Sequence, residues 1–414
     1  MQDTLITISI PTRERAETLA YTLKTLTSQA TEDCEFLISD NASTDQTQEL
    51  VSRIKDPRVR YIRLPSRRSM SSNFDFALSH ARGKYISFLG DDDGFIPGSL
   101  EYLSHLCRLH EPDAISWSEG SFRWPGVEGA GPPQRLFFSN DLFRVKTSAV
   151  RPLWQLGMLR WGYCPIVYGG LVRIEKLNSL RGSDGNFFQS EVPDVYSSAV
   201  LMDSLKEYLY VDFSLSVFGY SKKSNTASYF SRSVGGAEDA LLKFKNELER
   251  PAHPKFSAIT LRSDHAAIYE CLLRTNDLKH RTSSPWFDAF WYLRIARSLS
   301  KRKEPYRSHA LAELSRSAPR PHLRALVNLY ARQKTDAAAV AAVDVPSDES
   351  PYRTITDLCD AAGQFSQKQG TTRALEPTTQ VTTIFDAISF RKFILSRQAT
   401  TYLSSKVSAD LQRA

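Results

Sequence analysis

The sequence has few cysteines, and none of them stand in a paired arrangement. Five are scattered over 414 residues, and no C-x-x-C pair occurs. Their odd number and wide spacing argue against a disulfide framework and against a cysteine-ligated zinc site. The eight histidines show no metal-ligand spacing either. We therefore expect a protein of a reducing compartment.

Long apolar segments and several familiar motifs are also missing. No run of 18 apolar residues occurs, so no membrane-spanning helix is expected. The first residues, Met1 to Thr7, lack the basic and apolar regions of a signal peptide. No fixed-period repeat, glycine-rich phosphate loop or Ser-His-Asp order stands out. What remains is the composition of an ordinary globular protein, with a length that predicts about two to three domains.

The balance of charge is basic. A formal charge of +7 and a pI near 9.0 favour anionic partners such as phosphorylated substrates, acidic lipid or nucleic acid. The basic residues are interspersed with acids and do not form a stripe, which argues against nucleic acid.

Strand and helix patterns alternate through the first 117 residues. Short apolar runs at 5–10, 35–39, 59–64, 85–89 and 114–117 predict strands. Apolar residues at helical spacing fill the intervals between them. This alternation predicts an α/β fold with a mostly parallel sheet and right-handed crossovers.

Three polar clusters follow predicted strands directly. They are Pro11-Thr12-Arg13, Asp40-Asn41-Ala42-Ser43 and Asp91-Asp92-Asp93. The carboxyl ends of parallel strands meet at one edge of the sheet, where ligands bind in open α/β folds. The triple aspartate is either a solvated turn before Gly94 or a site for a hard cation such as Mg²⁺ or Mn²⁺.

The later chain is less regular. Residues 120–134 are predicted as a surface loop, 168–174 and 210–220 as strands, and 195–209 as a helix. Helical patterns follow at 237–248, 256–274, 286–299, 309–316 and 321–332. We predict a first domain at 1–220, with halves 1–110 and 111–220, and a helical region at 221–334. A flexible connection at 335–380 and a C-terminal helical segment at 381–414 complete the prediction.

Four motifs in order carry a family resemblance. They are Ser9-Ile-Pro-Thr-Arg13, Ile38-Ser-Asp-Asn-Ala-Ser-Thr-Asp45, Asn73 with Ala81-x-Gly83-x-Tyr85, and Leu89-Gly-Asp-Asp-Asp93. Together they resemble the family 2 glycosyltransferases of the GT-A fold, from residue 4 to about 110. The resemblance implies a Rossmann-like sheet flanked by helices, a nucleotide-sugar donor, a Mg²⁺ or Mn²⁺ ion and inversion at the anomeric carbon. UDP is the nucleotide that the family uses most often.

The resemblance also implies roles for individual residues. Those implied for donor binding are Pro11, Thr12, Arg13, Asp40, Asn41, Asn73, Asp91 and Asp92, and those for the metal are Asp93 and Asp91. Gly90 stands where the family often has its first acid, so the register of the three aspartates stays open. Thr12 is also explained as a turn residue, and Asn73 as a brace. Arg67 and Arg68 suit either a diphosphate contact or an exposed basic loop.

A sugar hydroxyl needs a base as it attacks. The family carries this carboxylate near the start of a helix in the middle segment, where this chain has Glu191-Val-Pro-Asp194. We predict Asp194 as the base and Glu191 as the second choice. A plain helix cap is the alternative, because an acid favours a helix N-terminus. Trp154, Trp161 and Tyr163 suit either an acceptor sugar or the core.

The segment from Pro285 to Lys303 is aromatic and then basic. It suits a peripheral membrane contact or a helix packed on its own domain. We expect a cytoplasmic glycosyltransferase, peripheral at the inner face of the membrane, that acts on a glycan or lipid-linked acceptor in surface polysaccharide or other glycan synthesis. The alternative is a catalytically silent GT-A module that binds a nucleotide-sugar or serves as a scaffold.

Overall fold

The computed structural model describes most of the chain. The described residues are 4–127, 136–137, 141–223, 249–251, 253–254, 256, 263–302, 306–318, 320–332, 354–368 and 374–390. The helix predicted at 237–248 lies outside them.

The first part is a parallel βαβ unit, as the alternating pattern predicts. Its elements are β1 (Ile6–Thr12), α1 (Ala16–Thr27), β2 (Cys34–Asp40), α2 (Thr47–Ser52), β3 (Val59–Arg63), α3 (Met70–His80) and β4 (Tyr85–Phe88). The four strands pair in parallel in the order β4-β1-β2-β3. Both faces of β1 and β2 are buried under helices, which is why these strands read as nearly continuous apolar runs.

The second part extends this sheet and adds a smaller one. Its elements are β5 (Gly94–Phe95), α4 (Ser99–His110), β6 (Ala114–Trp117), β7 (Gly120–Arg123), β8 (Leu142–Lys146), α5 (Thr147–Gln155), β9 (Gly170–Arg173), α6 (Ile174–Asn178), α7 (Pro193–Ser204), β10 (Glu207–Val211) and β11 (Ser216–Tyr220). The main sheet continues from β4 through β9, β6, β10 and β8, while β5, β11 and β7 form a three-stranded sheet. Because β9 is antiparallel to both β4 and β6, β6 runs in the same direction as β4.

Three predictions in this part need correction. The helix predicted at 195–209 ends at Ser204, because Glu207–Val211 pairs with β6 and β8 as β10. The single strand predicted at 210–220 is therefore two strands. Residues 120–123, predicted as loop, form β7 by pairing with β11. Each difference arises from a partner strand distant in sequence, which local periodicity does not contain.

A helical region follows, as predicted. It contains α8 (Asp264–Leu278), α9 (Pro285–Ser300), α10 (Tyr306–Ser317) and α11 (Pro321–Arg332). Trp291, Tyr292, Ile295 and Leu299 of α9 are buried in a core shared with α7 and α8. The apolar face of α9 is thus packed on its own protein, although Trp286 is 86% exposed. No helix among the described residues is long and apolar enough to cross a membrane.

The chain then returns to the first part. Helix α12 (Ile355–Lys368) packs on α1 and β5, and β12 (Thr379–Val381) pairs in parallel with β8 at the sheet edge. The prediction of a flexible connection over 335–380 is therefore wrong for these two elements. The remaining domain boundaries stay predictions. The predicted fold class is confirmed, because a mostly parallel sheet is flanked by helices and followed by a helical region.

The docking of α12 can be tested by truncating its buried face. Leu358 has 0% exposure within the cluster under β11, so Leu358→Ala should lower the free energy of unfolding by about 2–4 kcal/mol. Denaturant unfolding measures this. Leu109→Ala on α4, where the leucine is 52% exposed, is the matched control and should change stability by less than about 0.5 kcal/mol. Equal effects of both substitutions would contradict the docking.

Candidate active site

The three polar clusters meet at one edge of the sheet. Thr12 lies directly opposite Asp40 in the pairing of β1 with β2. The Thr12 hydroxyl donates to Asp91 Oδ2 at 2.7 Å, across 79 residues of sequence. Parallel strands therefore bring the ends of β1, β2 and β4 together, as the sequence predicts.

Asp40 is fully buried and bonded within the protein. Its Oδ1 accepts from the Ser43 backbone at 2.9 Å, and its Oδ2 accepts from the Tyr61 hydroxyl at 2.5 Å. Arg63 lies 3.7 Å from Oδ2. Burial, and then the Asp40 carboxylate, raise the pKa of Tyr61 to about 12, so this phenol stays a donor. The structure thus holds the Asp40 carboxylate in one orientation at the end of β2.

The two asparagines predicted for the donor pocket brace its walls. Asn41 donates to the Arg68 carbonyl at 2.8 Å and accepts from the Arg68 N–H at 2.9 Å. Asn73 accepts from the Ser39 hydroxyl at 2.7 Å and donates to the Ser39 carbonyl at 3.1 Å. Both side chains connect the end of β2 to the segment that opens α3.

The basic residues around this edge are partly exposed. Pro11 and Arg13 are half-buried at the end of β1. Arg67 is paired with Glu14 at 2.7 Å, and Arg68 donates to both oxygens of Glu249. The exposed basic loop expected before α3 is present, and its arginines have carboxylate partners.

Asp91 and Asp92 share one guanidinium. Arg15 Nη1 donates to Asp91 Oδ1 at 2.8 Å and lies 3.9 Å from Asp92 Oδ1. The second oxygen of Asp92 accepts from the Ser221 hydroxyl at 2.5 Å. Burial lowers the pKa of Arg15, but Asp91 and Asp92 outweigh burial and raise it overall. Arg15 is therefore a permanent cation beside the two acids.

Asp93 is held differently and has 0% exposure. Its Oδ1 accepts from the Gly219 N–H at 2.7 Å, while Oδ2 accepts from the Gly90 N–H at 2.8 Å and the Tyr168 hydroxyl at 2.5 Å. A side chain at Gly219 would overlap the Asp92 carbonyl oxygen, so this close approach requires glycine. The sequence predicts Asp93 as a metal ligand, and such a role would compete with these three bonds.

The three aspartates carry more negative charge than Arg15 offsets. Burial raises the pKa of Asp92 to about 6, although Arg15 acts in the opposite direction. Burial and the neighbouring Asp92 raise the pKa of Asp93 well above its usual range. A further cation at this edge would relieve the repulsion.

The side-chain oxygens at this edge are suitable ligands for a hard divalent cation. Asp91 and Asp92 offer carboxylate oxygens, which Mg²⁺ and Mn²⁺ prefer. Within the described part of the chain, no three carboxyl, thiol or imidazole groups converge to hold a metal by themselves. These ions commonly complete their coordination with substrate phosphates. The residues therefore fit a cation held jointly with a bound diphosphate.

Sequence reasoning missed a further acid at this edge, Glu119. It follows β6, whose carboxyl end points the same way as that of β4. Its Oε1 accepts from Ser216 at 3.3 Å, and its carboxylate packs on Gly169, where a Cβ would lie 2.6 Å away. Burial, and to a smaller extent Asp194, raise the pKa of Glu119 to about 7. The strand-end rule that located Asp40 and Asp91 also applies to Glu119.

The two acids predicted for catalysis face different surroundings. Asp194 lies in the first turn of α7, half-buried and close enough to Glu119 to raise its pKa. Burial raises the pKa of Asp194, while the backbone N–H groups of the helix N-terminus act against that rise. Glu191 is buried instead against α3, where its Oε2 accepts from the Ser71 hydroxyl at 3.1 Å. Asp194 therefore neighbours the acidic edge through Glu119, whereas Glu191 connects α7 to α3.

The aromatic residues before α7 divide into core and surface. Trp154 is buried in the main core, so packing explains it. Trp161 and Tyr163 lie partly exposed in a 3₁₀ turn at residues 161–163, which contacts α7. Ser198, one turn after Asp194, donates to the Trp161 carbonyl at 3.3 Å.

Comparison with known proteins agrees with the motifs. Residues 7–119 match the family model described as Glycosyl transferase family 2. A UDP-Glc:alpha-D-GlcNAc-diphosphoundecaprenol beta-1,3-glucosyltransferase of Escherichia coli, WfaP, is 30% identical over 107 residues, which are 26% of this chain and 43% of that protein. A GalNAc(5)-diNAcBac-PP-undecaprenol beta-1,3-glucosyltransferase of Campylobacter jejuni is 29% identical over 101 residues, 24% of this chain and 33% of that protein. The match thus spans less than half the length of either relative.

Among solved structures, S. aureus TarS 1-349 in complex with UDP-GlcNAc aligns with 89% of this chain and 93% of that chain, at 16% identity and a TM-score of 0.46. The similarity to family 2 is supported by the family match, the named relatives and the ordered motifs at one sheet edge, and does not depend on this structural alignment. Residues 7–119 therefore match glycosyl transferase family 2, and over this range the chain is similar to enzymes of that family.

Proposed function

We propose that this chain is a metal-assisted glycosyltransferase that moves a sugar from a nucleotide-sugar, a UDP-sugar, to an acceptor hydroxyl with inversion. One observation carries the proposal: three strand ends of a parallel sheet bring Thr12, Asp40 and Asp91–Asp93 to one edge. Asp194 raises the pKa of Glu119, and Glu119 in turn raises the pKa of Asp93, which supports placing the base near the binding groups.

The nucleotide end of the donor lies over the ends of β1 and β2. Pro11, Thr12 and Arg13 line one side, and Asp40 and Asn41 line the other. Asn73 acts indirectly, because both polar atoms of its side chain are bonded to Ser39. Asn73 therefore orients the end of β2.

Asp91 and Asp92 are the acids that hold the cation and face the diphosphate. Their partners are side chains, whereas Asp93 is bonded to two backbone N–H groups and the half-buried Tyr168. We therefore propose Asp93 chiefly as the anchor of the acidic loop. A bound Mg²⁺ or Mn²⁺ would stabilise the charge that develops on the departing nucleoside diphosphate.

Asp194 is proposed as the base that takes the proton of the attacking hydroxyl. A base must reach the acceptor on the side opposite the leaving diphosphate. Its half-buried position at the start of α7, near Glu119, supports this role. Glu191 remains the second choice, and its bond to Ser71 favours a structural role.

The acceptor is proposed to be a lipid-linked glycan. The Escherichia coli and Campylobacter jejuni relatives are named for acceptors linked to undecaprenol through a diphosphate. Trp161 and Tyr163 beside α7 offer partly exposed rings to an acceptor sugar. A role in surface glycan synthesis, in the cytoplasm at the inner face of the membrane, follows from such an acceptor.

A silent donor-binding module is the second candidate. Gly90 replaces an acid, and the aspartates have protein partners in the structure. The purified chain with Mn²⁺ should be assayed for hydrolysis of, and transfer from, common nucleotide-sugars, together with calorimetric binding. Binding without turnover of any donor would contradict the enzyme and favour the module.

The base assignment predicts a separation of turnover from binding. Asp194→Asn should lower the transfer rate by about 10²–10⁴-fold, because proton removal is lost. UDP affinity in Mn²⁺ should stay within about twofold of the original, because Asp194 lies outside the proposed donor contacts. Asp184→Asn, at an exposed residue that pairs with Arg250, is the control. A normal rate in Asp194→Asn would move the role to Glu191.

Glu119, half-buried after β6, predicts a pH dependence of stability. The pKa of Glu119 is raised from 4.5 to about 7, so the folded protein binds more protons than the unfolded chain in that window. Stability should therefore fall as pH rises from about 4.5 to about 7. Glu119→Gln should flatten this slope and add about 1–3 kcal/mol to stability above that window.

Denaturant unfolding in EDTA at several pH values measures the effect of Glu119. Glu32→Gln, at an exposed loop residue, provides the control and should keep the original slope. An unchanged slope in Glu119→Gln would show that this carboxyl is not perturbed by burial.

A further inference from the structure

Arg15 occupies the place between the two carboxylates that are proposed to hold the cation. Its Nη1 lies 2.8 Å from Asp91 Oδ1 and 3.9 Å from Asp92 Oδ1. Its side chain is largely buried, so the pairing is not a surface ion pair. We propose that Arg15 is an internal counter-cation that competes with the divalent metal for these two acids and moves to the donor diphosphate when the donor binds. This inference rests on the proposed function.

The competition follows from the oxygens that are left to a metal. Asp93 accepts three hydrogen bonds, two of them from backbone N–H groups, so Asp91 and Asp92 are the acids of the loop that a metal could bind with less loss of hydrogen bonding. One oxygen of each is already bonded, to Thr12 and to Ser221. The other oxygen of each faces the Arg15 guanidinium. A cation held by Asp91 and Asp92 would therefore compete with Nη1 for these carboxylates.

The balance of charge at the site differs between the donor-free and the donor-bound protein. Without donor, one guanidinium beside two carboxylates leaves an excess of about one negative charge. A donor diphosphate adds negative charge next to the same acids, so a divalent ion and Arg15 are then both needed. Guanidinium groups bind phosphate oxygens in paired geometry. Arg15 can therefore exchange its carboxylate partners for phosphate oxygens when the donor binds.

A second contact connects this exchange to the end of β11. Arg15 Nη2 donates to the Lys223 carbonyl, and Lys223 Nζ donates back to the Glu14 carbonyl at 2.9 Å. Ser221, two residues earlier, holds Asp92. The residues that follow β11 thus fix both the guanidinium and one of the acids, which keeps Arg15 in place while no donor is bound.

The test measures Mn²⁺ binding in the full chain without nucleotide, from the electron paramagnetic resonance signal of free Mn²⁺. Arg15→Gln should raise Mn²⁺ affinity by about tenfold, because the competing charge is gone. The Mn²⁺ affinity of Arg15→Lys should lie between that of the original chain and that of Arg15→Gln, since lysine keeps the charge but loses the forked geometry. Arg53→Gln removes the same charge from an exposed position, with a side chain 73% exposed, and should leave the affinity unchanged.

Calorimetry with UDP in saturating Mn²⁺ tests whether Arg15 contacts the donor diphosphate. Arg15→Gln should weaken UDP binding by about tenfold, because a charge-assisted phosphate contact is lost. Thermal unfolding confirms that each variant is folded. In an Asp91→Asn background, the Mn²⁺ gain from Arg15→Gln should shrink, because its main partner is already neutral.

The outcomes separate this inference from the proposed function. Unchanged or weaker Mn²⁺ binding by folded Arg15→Gln overturns the competition. A gain in Mn²⁺ affinity with unchanged UDP affinity overturns the move to the diphosphate. Failure of the original chain to bind UDP with Mn²⁺ contradicts the proposed function, whereas normal UDP binding with no Arg15 effect contradicts the inference alone.

Discussion

The buried carboxylate of Asp93 is the contact on which the site depends. It connects its own loop at Gly90 with Tyr168, which precedes β9, and with Gly219 in β11. A buried charge is tolerated only when its oxygens are well bonded, so these partners must be present together. The main sheet, the small sheet and the acidic loop are thereby held in one arrangement.

That arrangement places several acids where their charges repel. Asp92, Asp93 and Glu119 all have raised pKa values, each chiefly because of burial. Arg15 offsets part of the repulsion from one side. An edge of this kind is suited to binding cations, which offset the repulsion among its acids.

The part of the chain beyond the family match contributes to the same structure. Helix α12 packs on α1 and β5, and Cys359 lies against Gly94, directly after the acidic loop. The strand β12 extends the main sheet beside β8. Glu249 likewise binds Arg68 and the start of α3. These contacts support the acidic loop and the segment that opens α3 from residues that a family comparison of 7–119 does not include.

Local pattern in the sequence determined the parallel sheet and the edge at which it binds ligands. The periodicity of short apolar runs and helices lies within each βαβ unit, and strand direction then places Thr12, Asp40 and Asp91 side by side. Tertiary structure alone decided which aspartate oxygens are occupied, because the partners are distant in sequence. Tyr168 is 75 residues from Asp93, Ser221 is 129 from Asp92, and Arg15 is 208 from Lys223. Large separations in sequence also explain why the pairing of β7 with β11 and the packing of α12 on α1 and β5 were not predicted. The ends of strands can be predicted from the local pattern of apolar residues. Hydrogen-bond partners that the fold brings together from distant parts of the chain leave no such pattern in the sequence.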